Sequence, residues 1–126
     1  MGSAFQKFYT RAYQLVFGAA GQPQISVEEL KALLEHGDDV CVLDVREPWE
    51  FETARVEGAK LIPLMQLPEK VGELDPKKPV VVMCHSGGRS ARATAFLRKS
   101  GFDRAFNLAG GIDAWSERID PKVPRY

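Results

Sequence analysis

Short apolar runs alternate with amphipathic stretches along most of the chain. Four runs have the length and composition of strands, at residues 40–45, 59–62, 79–83 and 105–108. The run 40–45 is almost continuously apolar, which is typical of a strand buried on both faces. Ile25 is expected to enter the same sheet. Strands that alternate with helices at this spacing predict an α/β protein with an open, mostly parallel sheet and helices on both faces.

The amphipathic stretches between these runs predict helices. The first begins at the capping-box pattern Ser26-Val27-Glu28-Glu29 and is expected to end at Gly37. Further helices are predicted at residues 49–53, 90–100 and 112–119. Residues 64–74 also have a helical pattern, but Pro68 interrupts it, so we expect two short pieces there.

Residues 1–21 are interpreted as an N-terminal amphipathic helix that extends a domain formed by residues 22–126. Apolar residues recur in this extension at helical spacing. Packing of this helix on its own domain is favoured over docking on a partner or on a membrane surface. A targeting segment is the third alternative.

Composition limits the class of protein. The 126 residues fit one domain, and equal numbers of basic and acidic side chains, 17 each, argue against nucleic acid as a partner. Two cysteines, Cys41 and Cys84, are too few for a disulfide framework or a four-ligand zinc site, so a reduced, cytoplasmic setting is expected. Because no ligand cluster or phosphate-binding fingerprint occurs, neither a metal nor an organic cofactor is expected.

One segment combines a cysteine with a glycine-rich turn. Cys84-His85-Ser86-Gly87-Gly88-Arg89-Ser90 follows the strand-like run 79–83 and precedes a predicted helix. Backbone N–H groups in such a turn point inward, and the helix macrodipole adds positive potential, so we expect a thiol there to ionise readily. Ligands of open parallel sheets bind beyond the carboxyl ends of the strands, where this cysteine lies. Cys84 is therefore the candidate nucleophile.

Two other segments are expected at the same edge of the sheet. Asp44 lies at the end of the run 40–45 and Arg46 directly follows that run, while Gly110 and Gly111 follow the run 105–108. Glycines at that place would let the backbone pass close to the cysteine turn. Three separate segments are therefore predicted to converge on one site.

Four segments resemble the rhodanese family of sulfurtransferases in order and spacing. They are LDVREPWEF (43–51), GAKLIP (58–63), CHSGGRS (84–90) and NLAGGIDAW (107–115). The resemblance extends over residues 25–119, with the fold of single-domain rhodaneses. The closing residues 119–126 are similar to the tail of rhodanese modules that are fused to ubiquitin-activating-like sulfur-transfer enzymes.

The resemblance implies a thiosulfate sulfurtransferase-type enzyme. Sulfane sulfur would pass from thiosulfate or a persulfide donor to a thiol or to cyanide through a persulfide on Cys84. A protein donor or acceptor of sulfur is a further partner that the resemblance implies. Substrate would be bound by the active-site loop, which consists of His85, Ser86, Gly87, Gly88, Arg89 and Ser90, with Asp44 and Arg46 in support.

Two alternative functions remain open at this point. A non-catalytic binding module of the same fold usually lacks the cysteine, so the intact loop argues against it. Related phosphatases and arsenate reductases are the second alternative. Tyrosine phosphatases place five residues between their cysteine and arginine, whereas four separate Cys84 from Arg89, which makes a smaller cradle.

Individual side chains keep more than one interpretation. His85 is expected at the rim of the site rather than as a general base. Arg89 could be solvated, could bind an anionic donor, or could brace the loop through a carboxylate. Arg46 is read mainly as structural, paired with an acid such as Glu52, with substrate contact as the alternative. Cys41 is read as core packing rather than as a resolving thiol.

Overall fold

The computed structural model describes residues 23–126 and contains a five-stranded parallel sheet. The strands are β1 (Gln24–Ile25), β2 (Cys41–Asp44), β3 (Lys60–Leu61), β4 (Val80–Met83) and β5 (Ala105–Leu108). Their order is β1-β5-β4-β2-β3, and every neighbouring pair is parallel. Asp44 is in register with Met83, so β2 and β4 end at the same level of the sheet.

Helices cover both faces of this sheet. They are α1 (Val27–His36), α2 (Pro48–Thr53), α3 (Leu67–Lys70), α4 (Gly88–Lys99) and α5 (Gly111–Arg118). The start of α1 is the predicted capping box: Ser26 Oγ accepts from Glu29 N at 3.1 Å, and Glu29 Oε1 accepts from Ser26 N at 2.8 Å. Gly37 ends α1 in the left-handed conformation, with φ 84°.

Side chains of β4 alternate between two apolar cores. Val81 and Met83 pack in one core with residues of α1 and α5. Val80, Val82 and Cys84 pack in the other core with residues of α3 and α4. The central strand is therefore buried on both faces, and the predicted α/β fold class, with helices on both sides of an open parallel sheet, is confirmed.

The predicted division of residues 64–74 into two pieces at Pro68 is wrong. The segment consists of a 3₁₀ turn (Leu64–Gln66), α3, and a second 3₁₀ turn (Val71–Glu73). Pro68 lies in the first turn of α3, where an N–H group has no partner within the helix, so a proline costs nothing there. The helix α4 also begins at Gly88, two residues before its predicted start, which shortens the turn after Cys84.

The predicted helix over residues 1–21 lies outside the described residues and stays a prediction, as does the domain boundary that follows it. Between residues 23 and 126, no helix has the length and apolar character that crossing a membrane requires. The described part of the chain is the sheet and its covering helices.

Candidate active site

Cys84 lies directly beyond the central strand β4 and is 1% exposed. The chain turns from Cys84 to Gly87, and α4 begins at the next residue. Gly87 has φ 123°, which L-residues with a side chain rarely adopt, and its N–H donates to Cys84 Sγ at 3.1 Å. A hydrogen bond from a backbone N–H stabilises negative charge on the sulfur.

Further backbone N–H groups of this turn have no acceptor in the described part of the protein. Within residues 23–126, the backbone N–H groups of His85, Ser86, Gly88 and Arg89 donate no hydrogen bond to the chain. Gly88 and Arg89 form the first turn of the twelve-residue helix α4, where the macrodipole is positive. We call the turn from His85 to Arg89 the anion cradle, because its free donors suit a bound anion.

Ser90 and Asn107 connect the cradle to strand β5 by buried hydrogen bonds. Ser90 Oγ lies 3.3 Å from Cys84 Sγ and donates to Asn107 Oδ1 at 2.5 Å. Asn107 Nδ2 donates in turn to the carbonyl of Gly87 at 3.2 Å. Asn107 was not singled out from the sequence, although a buried amide in the otherwise apolar strand β5 was a signal that could have identified it.

The start of α5 passes very close to the turn after Cys84. Ile112 N donates to the Cys84 carbonyl at 2.9 Å, and Asp113 N donates to the His85 carbonyl at 3.1 Å. A Cβ atom added to Gly111 would lie 2.4 Å from the oxygen of His85 and 2.5 Å from that of Cys84. Only glycine fits this position, and the close approach predicted for Gly110 and Gly111 is present.

The guanidinium group of Arg89 is bound by the carboxylate of Glu50. Its Nη1 and Nη2 donate to the two oxygens of Glu50 at 2.6 and 2.9 Å. Glu50 is only 4% exposed, and the bonds from Arg89 lower its pKa from 4.5 to about 2, against the opposing effect of burial. The pKa of Arg89 is raised by the same contact. Arg89 therefore braces the loop, and Glu50 is a site residue that sequence reasoning missed.

Arg46 forms a second buried ion pair. Its Nη2 lies 2.7 Å from Asp44 Oδ2 and 2.6 Å from the Ala54 carbonyl, and neither charged side chain is exposed. Burial alone would lower the pKa of Arg46, but the hydrogen bonds to Asp44 and Tyr126, together with the charge of Asp44, raise it overall. The expected pairing of Arg46 with Glu52 is wrong, because Glu52 is exposed and the partner is Asp44. Asp44 and Arg46 hold the end of β2 together.

Tyr126 connects these two ion pairs. Its hydroxyl accepts from Arg46 Nη1 at 2.7 Å and donates to Glu50 Oε2 at 2.7 Å. Its ring stacks on His85, with centroids 4.3 Å apart, and meets the ring of Trp49 edge-on at 5.9 Å. Burial raises the pKa of Tyr126 to about 12. The structure thus places His85 under an aromatic ring at the edge of the site.

Cys41 lies far from the nucleophile. It is in register with Val80, four residues before Cys84, which separates the two cysteines by about 13 Å along the strand direction. A disulfide needs Cα atoms within about 7 Å, so both thiols are free. Burial raises the pKa of Cys41, which makes it a poor thiolate. Its position favours packing over a resolving role.

Acidic side chains at the site are paired with bases and are not clustered. Asp44 binds Arg46 and Glu50 binds Arg89. Over the described range 23–126, no group of three or more His, Cys, Asp or Glu side chains could hold a metal ion. The chemistry that the arrangement supports is that of a thiolate beside an anion cradle.

A central parallel strand that leads into a cysteine, followed by a glycine-rich turn at a helix start, is the arrangement expected of a rhodanese-like domain. The family model for the rhodanese-like domain matches residues 26–118. The chain belongs to this family. A solved rhodanese-related protein of Thermoplasma volcanium is 33% identical, with a TM-score of 0.72, and the match covers 82% of this chain and 98% of that one.

Three curated relatives show how the domain is used in other proteins. A rhodanese-like/PpiC domain-containing protein 12 of Arabidopsis thaliana is 38% identical over 109 residues, which cover 81% of this chain and 36% of the relative. The sulfurtransferase of Allochromatium vinosum is 36% identical, covering 79% of this chain and 94% of that protein. The maize adenylyltransferase and sulfurtransferase MOCS3-2 is 34% identical, and the match covers 82% of this chain and 23% of that protein. The chain thus spans less than half the length of the first and last of these relatives.

Proposed function

We propose that this protein is a sulfurtransferase that carries sulfane sulfur as a persulfide on Cys84. The observation that carries the proposal is the position of Cys84 Sγ at the end of β4, bonded to the Gly87 N–H at 3.1 Å and facing the anion cradle. Membership of the rhodanese-like family and the sulfurtransferase from Allochromatium vinosum support the same class of reaction.

In the first half-reaction, the Cys84 thiolate attacks the outer sulfur of the donor. A bond forms between Sγ and that sulfur while the donor S–S bond breaks, and the electron pair leaves on the inner sulfur, as sulfite from thiosulfate or as a thiolate from a persulfide. The N–H groups of the cradle stabilise the charge of the sulfur that is transferred. The enzyme is left as the Cys84 persulfide.

In the second half-reaction, an acceptor attacks the outer sulfur of that persulfide. With cyanide the new bond gives thiocyanate, and the electron pair of the broken S–S bond returns to Cys84 as a thiolate. A thiol acceptor becomes a persulfide in the same way. No metal or organic cofactor enters either step.

We assign the substrate-binding role to the active-site loop of six residues, His85, Ser86, Gly87, Gly88, Arg89 and Ser90. Gly87 contributes its N–H to the sulfur, and Ser90 contributes a hydroxyl 3.3 Å away. Asp44 and Arg46 support the loop from the end of β2.

A protein donor or acceptor of sulfur is part of the proposal. The similarity to the maize adenylyltransferase and sulfurtransferase supports it, because that protein joins a rhodanese-like segment to a second activity in one chain. The cytoplasmic setting expected from two unpaired cysteines remains a proposal of the same kind.

Steady-state turnover tests the proposal. The protein is incubated with thiosulfate or a small persulfide as donor and cyanide as acceptor, and thiocyanate is measured. We expect turnover by the wild type, loss of turnover in Cys84→Ser, and retention in the matched control Cys41→Ser. Turnover that survives in Cys84→Ser would refute the assignment. A wild type that binds protein partners but transfers no sulfur would instead be a binding module.

A further inference from the structure

The charged side chains around the anion cradle form pairs. Asp44 pairs with Arg46 at 2.7 Å, Glu50 with Arg89 at 2.6 Å, and Asp113, which follows the Gly110-Gly111 turn, pairs with Arg125 at 2.9 Å. Arg125 also lies 3.8 Å from Glu117, so these groups have three positive and four negative members and add no net positive charge to the site. Attraction of an anion then depends on the uncharged backbone donors of the cradle.

The pair of Glu50 and Arg89 is the one closest in sequence to the nucleophile. Nη1 and Nη2 of Arg89 donate to the carboxylate at 2.6 and 2.9 Å. The Tyr126 hydroxyl donates to the same carboxylate at 2.7 Å. A two-bond pair of this kind, with a carboxylate that is 4% exposed, is geometrically fixed. The charge of Arg89 is thereby neutralised where a donor would approach.

Another cation on the same helix is not placed to take over this role. Arg92 is exposed and lines an apolar groove of about 270 Å³ together with Leu64, Met65 and Phe96. In the described part of the chain it forms no ion pair. Arg92 is therefore a control for Arg89: it is a cation on the same helix whose charge is not neutralised by a carboxylate.

We infer that Glu50 determines donor specificity, because its ion pair withholds the charge of Arg89 and so favours persulfides of low charge over the thiosulfate dianion. The inference rests on the proposed sulfur transfer and names the donor class for that site. An alkyl persulfide R–S–SH passes its outer sulfur to the Cys84 thiolate and leaves as R–S⁻, and the persulfide itself carries at most one negative charge. Thiosulfate brings two charges to a site without net positive charge and leaves as sulfite.

Four proteins differ in the net charge at the Glu50–Arg89 pair and so form a charge ladder: the wild type, Glu50→Gln, Arg89→Gln and the double variant. Glutamine keeps an oxygen for the N–H of Glu47, which bonds Glu50 Oε1 at 3.1 Å in the wild type. Its amide NH₂ takes the place of Oε2, where the Tyr126 hydroxyl, now a donor at 2.7 Å, would accept instead. We expect kcat/KM for thiosulfate to rise about 3- to 10-fold in Glu50→Gln and to fall by a similar factor in Arg89→Gln, as one partly exposed charge would cause. The double variant removes both charges, so its ratio of kcat/KM for thiosulfate to kcat/KM for an alkyl persulfide should return to within about twofold of the wild-type ratio, whatever the loss of the brace does to both rates.

Two comparisons separate charge from structural support. With a small alkyl persulfide as donor, the four proteins should differ much less than with thiosulfate, whereas loss of a structural brace would lower the rate with both donors equally. Arg92→Gln should change kcat/KM for thiosulfate by less than about twofold, because Arg92 is exposed to solvent and lines a groove that contains no residue of the cradle.

The wild type gives an independent measurement that needs no variant to fold. Because the site is neutral, kcat/KM for thiosulfate should change by less than about twofold between roughly 50 and 300 mM salt. A steep fall with salt would show that net positive charge at the cradle attracts thiosulfate and would overturn the inference, as would a thiosulfate rate that is unchanged or lower in a folded Glu50→Gln. If no donor loads Cys84 at all, the proposed function itself fails. If sulfur is transferred but the four proteins do not differ in kcat/KM for thiosulfate as expected, only the inferred donor specificity is refuted.

Discussion

Replacing Gly111 by alanine tests the close contact between α5 and the nucleophile turn. Gly111 has φ 59°, and an added Cβ would lie 2.4 Å from the His85 carbonyl oxygen. The left-handed backbone costs a residue with a side chain about 1–2 kcal/mol. Forcing the loop away adds about 1–3 kcal/mol, which is typical of overpacking. Gly111→Ala should therefore lower the free energy of unfolding by about 2–5 kcal/mol in total.

Gly58 supplies the matched control. It has φ 84°, but nothing lies within 4 Å of an added Cβ, so Gly58→Ala should cost only the backbone part, about 1–2 kcal/mol. Urea denaturation followed by tryptophan fluorescence measures both variants. Gly111→Ala should also slow the loading of Cys84, because the displaced carbonyls of Cys84 and His85 move the cradle. Equal destabilisation of the two variants, with unchanged loading, would refute the close approach of α5 to the loop.

Three further changes test the network around the site. Tyr126→Phe removes the hydroxyl between Arg46 and Glu50 and should lower the free energy of unfolding by about 1–3 kcal/mol in urea titrations; no loss would mean that the hydroxyl is not engaged. Ser90→Ala leaves the buried Asn107 oxygen without its donor and should cost about 1–3 kcal/mol, whereas an unchanged midpoint would contradict the 2.5 Å bond. The pKa of Glu50 is lowered from 4.5 to about 2, chiefly by Arg89. Its contribution to stability is therefore complete above its ordinary pKa and is lost as the pH falls toward 2, so Glu50→Gln should show a smaller loss of stability on acidification than the wild type.

The sheet could be predicted from the sequence because its strands β4 and β5 are buried on both faces. Residues 79–83 and 105–108 are apolar runs bounded by turns, and the structure places β4 at Val80–Met83 and β5 at Ala105–Leu108. The position of Cys84 follows from the same reasoning, since parallel strands end at one edge of the sheet. The fold class and the candidate nucleophile could thus be predicted from short segments of the sequence.

The partners of the charged residues could not be predicted in this way. Glu50 and Arg89 are 39 residues apart, and Glu50 and Tyr126 are 76 apart, so their contacts depend on how three distant segments converge. Within the short helix α2, Glu50 and Glu52 lie on opposite sides, about 200° apart, and local pattern does not say which side faces the loop. The structure buries Glu50 and leaves Glu52 exposed, which is why the pairing with Glu52 was wrong.

The most direct test of sulfur transfer by Cys84 is the intact mass of the reduced protein after incubation with a persulfide or thiosulfate donor and removal of the excess. We predict a gain of about 32 Da, one sulfur atom, that disappears on addition of cyanide and is absent from Cys84→Ser. A protein whose mass is unchanged by either small donor and by a protein persulfide donor, or whose added sulfur persists in Cys84→Ser, would contradict the proposal.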